Sequence, residues 1–308
     1  MAYKIPNFPT KNSYSEELSD FWEILCCKYP DRVLSSFNLT RIIQKESDEL
    51  VIDGVESEDD FIEGHVIEAF IEIESRNNLL GAKYPFGLTE TGIKFDFNRN
   101  YIYLFLLFCT RLNMTKFKIQ ANIDATKLFE HLCAVILLEY LGKNGQSFVF
   151  GTGSSGGFED KVNQLIQLLG EGVSFNNPDN NSPTKNDDAL DVVGWKNFSN
   201  SPEGKLMFFG QCKTGTSWRT HKNDLIPSQF CNNWFSSQPL YYPINSFFIS
   251  DTLYKNYNYN SDQRGKIFFN RNRLMEYCKE EILDENLLTD IKKWVESVIK
   301  SLREENLN

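Results

Sequence analysis

Apolar residues in this chain recur with two periods. Between Asp187 and Lys213 two short apolar runs flank a loop: Val192, Val193 and Trp195, then Leu206 to Phe209. Branched and aromatic residues favour extended backbone, and Ser199 to Gly204 between them reads SNSPEG, a turn composition, so the stretch predicts a β-hairpin. Upstream, DATKLFEHLCAVILLEYLG follows helical spacing through Phe129, Leu132, Cys133, Ile136 and Tyr140. Asp124 is its expected N-cap and Gly142 its C-terminal stop. Ala134, Leu137, Leu138 and Leu141 make the other side apolar too, which predicts a buried helix. Gln146 to Phe150 reads as a strand, FEDKVNQLIQLL as a helix, SQFCNNWF as a short helix with Phe230, Trp234 and Phe235 inward, and INSFFIS as a strand. Tyr101 to Met114 predicts a buried core helix, too short to cross a bilayer. Two amphipathic helices, near Leu274 to Leu283 and Thr289 to Leu302, close the chain, with Ile291, Val295, Val298, Ile299 and Leu302 in one stripe.

Alternation along a strand puts Gln211 and Lys213 on one face and Cys212 on the other. Asp191 shares the first face if it pairs opposite Gln211 or Lys213, and a one-residue slip would turn it away. Lys213 follows the run LMFFGQC and is expected to be half-buried, where an ammonium needs a charge partner or a task. Glu130 sits inside the apolar helix. It either meets the helix dipole and reaches solvent, or stands near the hairpin as a second carboxylate. For Asp188, assistance to Asp191 and a plain strand-capping role are both open.

Charge changes the picture less than its total suggests. The net charge is −10, yet residues 1–100 hold 19 acids and 10 Lys/Arg, and the remaining 23 acids and 22 bases are nearly balanced. The acidity peaks from Glu46 to Glu74, whose second half alternates like a strand pair and is expected to be a solvated acidic face. Polarity rises around Asn113 to Asn122, which places a domain boundary near residue 120: an acidic α+β domain over 1–120 and a second domain over 121–308 with a C-terminal helical extension. Seven cysteines without regular spacing, and no apolar export core at the start, point to reduced thiols and a cytoplasmic chain. Three scattered histidines disfavour a zinc site or a histidine triad. Gly151, Gly153 and Gly156 match a dinucleotide fingerprint, but Glu159 and Asp160 occupy the helical turn where a pyrophosphate would lie. Arg219 and Lys222, with Arg264 and Lys266 in the Tyr254 to Arg273 segment, are candidate phosphate contacts, the last two interleaved with tyrosines.

Asp191, nineteen intervening residues, Gln211, Cys212 and Lys213 together resemble the core motif of the PD-(D/E)xK nuclease superfamily, in its Mrr-like restriction-endonuclease branch, where Gln often replaces Glu. The element order from Asp124 to Ser250 strengthens the resemblance: without the inserted helix it is αβββαβ. The resemblance implies an α/β restriction-endonuclease-like core and a metal-dependent endonuclease acting on DNA in restriction or anti-phage defence. It implies Glu130 and Asp191, with the main-chain carbonyl of Cys212, as ligands of Mg²⁺ or Mn²⁺. Lys213 would orient the water or offset transition-state charge. Gln211 removes one negative charge, which weakens the expected metal binding. A helicase or ATPase partner and a homodimer fit the same reading. Competing readings are a decayed nuclease fold that binds nucleic acid or senses a partner, and a nucleotide-binding enzyme using the glycine loop.

Overall fold

A computed structural model describes residues 13–29, 33–47, 58–96, 100–152, 155–177, 188–200, 203–253 and 265–304. Contacts divide the chain into two units: Met1–Ala121 with Thr252–Lys255 and Ile291–Asn308, and Asn122–Asp251 with Asn256–Asp290. The first break falls inside the polar stretch named above. The C-terminal helix differs from expectation, because from Ile291 onward it groups with the N-terminal unit rather than extending the second. Trp294 explains this: its ring meets Phe105 edge-on at 5.4 Å, and its indole donates to the carbonyl of Lys118 at 2.9 Å.

The first unit comprises α1 (Ser15–Lys28), β1 (Leu34–Ser35), α2 (Ser36–Ser47), α3 (Glu58–Leu80), β2 (Phe86–Leu88), β3 (Gly92–Phe95), α4 (Tyr101–Arg111), α5 (Met114–Phe117) and β4 (Ile119–Gln120). The sheet order is β1-β3-β2, antiparallel throughout. The stretch read as alternating strands is the helix α3. Ile62, Val66, Ala69 and Ile73 are buried at spacings of four and three, while Glu63, Glu68 and Glu74 face solvent. A run such as FIEGHVIEAFIEIE satisfies both periods over short windows, and only its length favours the helix. α4 forms as expected, with the Asn100 side chain accepting from the amides of Ile102 and Tyr103. No described helix is long and apolar enough to cross a membrane.

Buried in this unit is a charged cluster. Arg76, 1% exposed, bonds Asp20 at 2.7 Å, Glu23 at 2.9 Å and Glu72 at 3.0 Å. Its remaining donors reach the carbonyl of Glu16 and the hydroxyl of Tyr103. Tyr84 and Tyr103 donate to Glu23, and Arg111 donates to Asp20 at 2.6 Å. Burial alone would pull the guanidinium down; Tyr103, Glu23, Asp20 and Glu72 outweigh it and hold Arg76 well above its ordinary value. Burial also pushes the thiols of Cys26 and Cys27 well up, and Glu23 adds to it.

The second unit comprises β5 (Ile123–Asp124), α6 (Ala125–Leu141), β6 (Gly145–Val149), α7 (Phe158–Leu169), β7 (Val192–Lys196), β8 (Leu206–Lys213), α8 (Trp218–His221), α9 (Pro227–Trp234), β9 (Ile244–Ile249), β10 (Lys266–Phe269) and α10 (Arg271–Tyr277); α11 (Glu285–Glu304) follows. Its mixed sheet has the order β10-β9-β8-β7-β6: β6, β7 and β8 are antiparallel neighbours, while β9 and β10 run parallel to β8. The chain is therefore mixed α/β. α6 packs on one face, so closely that a Cβ on Gly194 would stand 2.5 Å from Leu137. On the other face Val193, Trp195, Met207 and Phe209 bury against Val162, Leu165 and Leu169 of α7 and Phe230 and Trp234 of α9. Leu138 and Tyr140 keep exposures of 39% and 36%, so α6 is less enclosed than its composition suggests. Pro227 takes the first turn of α9, where its missing amide costs nothing.

β10 departs from the sequence reading, which placed its residues in a basic, tyrosine-rich contact segment. Phe268 and Phe269 are buried against Phe247 and Phe248, at ring distances of 5.1 and 4.6 Å, and this packing makes the strand. Tyr254 to Arg264 lie outside the described residues.

Candidate functional site

The chain leaving β6, the residue before β7 and the helix α6 meet at a single glycine. Gly151 lies two residues past the end of β6, and a Cβ on it would stand 2.8 Å from Oε2 of Glu130 and 2.8 Å from Oδ1 of Asp191. The two carboxylate oxygens therefore cannot be farther apart than twice that distance. Both residues are buried, at 5% and 8% exposure.

Each acid is held by local structure. Asp124 caps α6 by accepting from the amide and hydroxyl of Thr126, at 2.9 and 2.6 Å. Glu130 lies beyond that first turn and is buried, so the solvent-reaching dipole partner is not what forms; its Oε1 accepts from the Thr152 hydroxyl at 2.7 Å. Asp191 stands just before β7. Val192 pairs with Gly210, which places Asp191 opposite Gln211, the register that sets acid and amide on one face. Its amide donates to the carbonyl of Gly210 at 2.9 Å, and its carbonyl accepts from the amides of Phe150 and Gly151 at 2.8 and 2.9 Å. Its Oδ2 accepts from the Cys212 amide at 2.7 Å. Lys213 gives its carbonyl to Ser250 on the β9 side. Alternation along β8 therefore turns the Cys212 carbonyl to the same edge as its amide, toward Asp191.

Gln211 and Lys213 share a face but do something else. Gln211 is fully buried; in the amide orientation that satisfies its neighbours it donates to the carbonyl of His221 at 3.0 Å and accepts from Nζ of Lys213 at 3.3 Å. Lys213 is half-buried, as its run suggested, yet its ammonium is drawn to this amide and not into a close ion pair with Glu130 or Asp191. The Asp188 carboxylate accepts from the Trp234 indole at 2.7 Å, which ties it to α9. Burial pushes the thiols of Cys133 and Cys212 up, Cys212 pulls Cys133 part of the way back, and Asp191 and Glu130 add to the rise in both. They remain protonated at neutral pH. Iodoacetamide at pH 8 is expected to label both far more slowly than a free thiol until denaturant is added, as read by mass spectrometry of the two peptides.

Of the candidate phosphate contacts, Lys266 is turned to the protein, bonding the carbonyl of Lys222 and, at 2.7 Å, the side chain of Asn223. The strand β10, not a loop, carries Lys266. Arg219 lies over the Trp218 ring at 4.7 Å and keeps about a third of its side chain exposed, 34%. Lys222 is half-buried and presents its carbonyl to Lys266. Arg264 lies outside the described residues. A surface pocket lined by Asn163, Gln167, Glu171, Gly172, Gln238 and Leu240 shares no residue with the acid pair.

No three His, Cys, Asp or Glu side chains gather as a metal-holding group among the described residues. The donors on offer are two carboxylates and the Cys212 carbonyl, all oxygen, a set suited to a hard divalent ion. Sequence reading missed Gly151, Thr152 and Lys161 as parts of this arrangement. A glycine immediately after a strand was the available signal, absorbed there into a nucleotide fingerprint. Gly151→Ala is expected to force the acids apart, since contacts under 3.0 Å are not sustained; overpacking of about 1–3 kcal/mol should lower Tm, and Mn²⁺ affinity measured by calorimetry should fall at least about tenfold.

No protein-family model matches this sequence, and neither the curated proteins nor the solved structures searched gave a match.

Proposed function

We propose that this chain is a metal-dependent endonuclease of the PD-(D/E)xK type, cutting DNA, with a restriction-endonuclease-like core built from α6, β6, β7, β8, α9 and β9. The observation that carries the reading is the meeting of Glu130 and Asp191 at Gly151, at the edge toward which the Cys212 carbonyl points. Two buried carboxylates this close repel unless a cation or a shared proton sits with them, and the Cys212 carbonyl beside them suits the cation. Glu130, Asp191 and the Cys212 carbonyl would hold Mg²⁺ or Mn²⁺, which when bound supplies Lewis acidity and neutralises phosphate charge. The chain's own residues do the rest. Thr152 orients Glu130 by its hydrogen bond. The Cys212 amide fixes one oxygen of Asp191 and leaves the other toward Gly151. Lys213, released from Gln211 when substrate enters, would orient the attacking water or meet charge on the phosphate. A helicase or ATPase partner, and a second copy of the chain, remain part of this reading as sources of target delivery.

One observation favours a second reading, a decayed nuclease fold that binds nucleic acid or senses a partner. Gln211 is sealed in the interior and holds Lys213 to itself. Incubation of supercoiled plasmid with Mg²⁺ or Mn²⁺, against an EDTA control, decides between them. Nicked or linear product that EDTA abolishes supports the nuclease; DNA retardation without cleavage under both ions supports the second reading.

A further inference from the structure

Lys161 is buried, at 4% exposure, in the first turn of α7. That place is doubly unfavourable: an ammonium loses hydration there, and the helix N-terminus already carries positive partial charge. Its ammonium lies 3.0 Å from the Gly151 carbonyl and 5.9 Å from the centre of the Phe150 ring. We infer that Lys161 is a positioning residue for the acid pair, acting by its hydrogen bond to the backbone of the turn that stands between Glu130 and Asp191. This rests on the metal-site reading above and adds to it the residue that sets the site's shape.

The turn has three ties. The Asp191 carbonyl holds the amides of Phe150 and Gly151. The Thr152 hydroxyl holds Glu130. Lys161 holds the Gly151 carbonyl, between the other two along the chain. Releasing that carbonyl lets the turn rotate, which moves Gly151 from between the acids and draws Thr152, with Glu130, out of line.

The sign of the effect separates this role from a simple electrostatic one. A nearby positive charge repels a divalent ion, so losing the Lys161 charge alone would tighten metal binding. Losing its hold on the turn would weaken it, by about 10–100-fold, the usual cost of removing a group that orients a ligand. The test is Mn²⁺ titration by calorimetry on the full-length protein, wild type against Lys161→Met, Lys161→Arg and Thr152→Val, with thermal melts to establish folding. Lys161→Met is expected to bind Mn²⁺ about 10–100-fold more weakly, with Lys161→Arg recovering most of the loss. Thr152→Val, at an exposed residue that does not threaten folding, is expected to weaken binding in the same direction. Unchanged or tighter Mn²⁺ binding by Lys161→Met overturns the positioning role while leaving the acid pair standing. If Lys161→Met does not fold, unchanged affinity in Thr152→Val overturns it. Absence of Mn²⁺ binding by the wild type overturns the site reading itself, and this inference with it.

Discussion

Under the proposed function, Asp191→Ala is expected to lower kcat/KM for divalent-ion-dependent cleavage by at least about 10²–10³-fold, the scale on which a single preorganised charge-stabilising group acts. The fall should appear together with lost Mn²⁺ binding, because the proposal makes Asp191 a donor to the ion and not a remote support. Glu130→Gln should give the same pattern with less effect on folding, since its amide can still accept from Thr152. Plasmid cleavage at saturating and limiting Mn²⁺ checks both. Wild-type rates in Asp191→Ala would end the assignment of this site. Lys213→Ala should differ in kind: metal binding is kept and turnover falls, because the ammonium contacts Gln211 and no proposed ligand.

The largest effect on stability belongs to Arg76→Leu. The substitution leaves Asp20, Glu23 and Glu72 facing one another in the interior without their shared guanidinium, while Arg111 still reaches Asp20. Removing one partner from a buried ion cluster costs about 3–5 kcal/mol, which for a unit of this size lowers Tm by roughly 10 °C. Replacing the whole cluster with apolar residues would be a different experiment and can be neutral. Thermal melting followed by circular dichroism reads the result, and a shift within 2–3 °C of wild type (about 1 kcal/mol) would mean that the cluster adds nothing to stability.

Local periodicity made much of the second unit legible. Asp124 and Gly142 delimit α6, the hairpin pairs in the register that sets Asp191 opposite Gln211, and Pro227 opens α9. These are features written in neighbouring residues. What stayed hidden depended on distant partners. α3 was misread because its acidic stretch fits two periods, and Arg76, which draws Glu72 inward, shows its meaning only through Asp20 and Glu23 on α1. β10 was missed because KIFF is short and its strand exists by pairing with β9. Within the site, the motif residues Asp191, Gln211 and Lys213 were visible as spacing, but the division of labour among them was not. Sequence set Lys213 beside the acids; the fold sets it beside Gln211 and brings up Gly151, Thr152 and Lys161 instead.

Asp191 gives its amide to β8 and its carbonyl to the chain leaving β6, so its backbone is stitched to both neighbours. A carboxylate mounted on such a seam has little freedom to swing away from its companion. Of the two acids, Asp191 is thus anchored by sheet backbone, whereas Glu130, on α6, depends on its tie to Thr152. In the proposed reading, control would rest on what governs approach to this anchored acid, such as the reach of the target or the hold of Gln211 on Lys213.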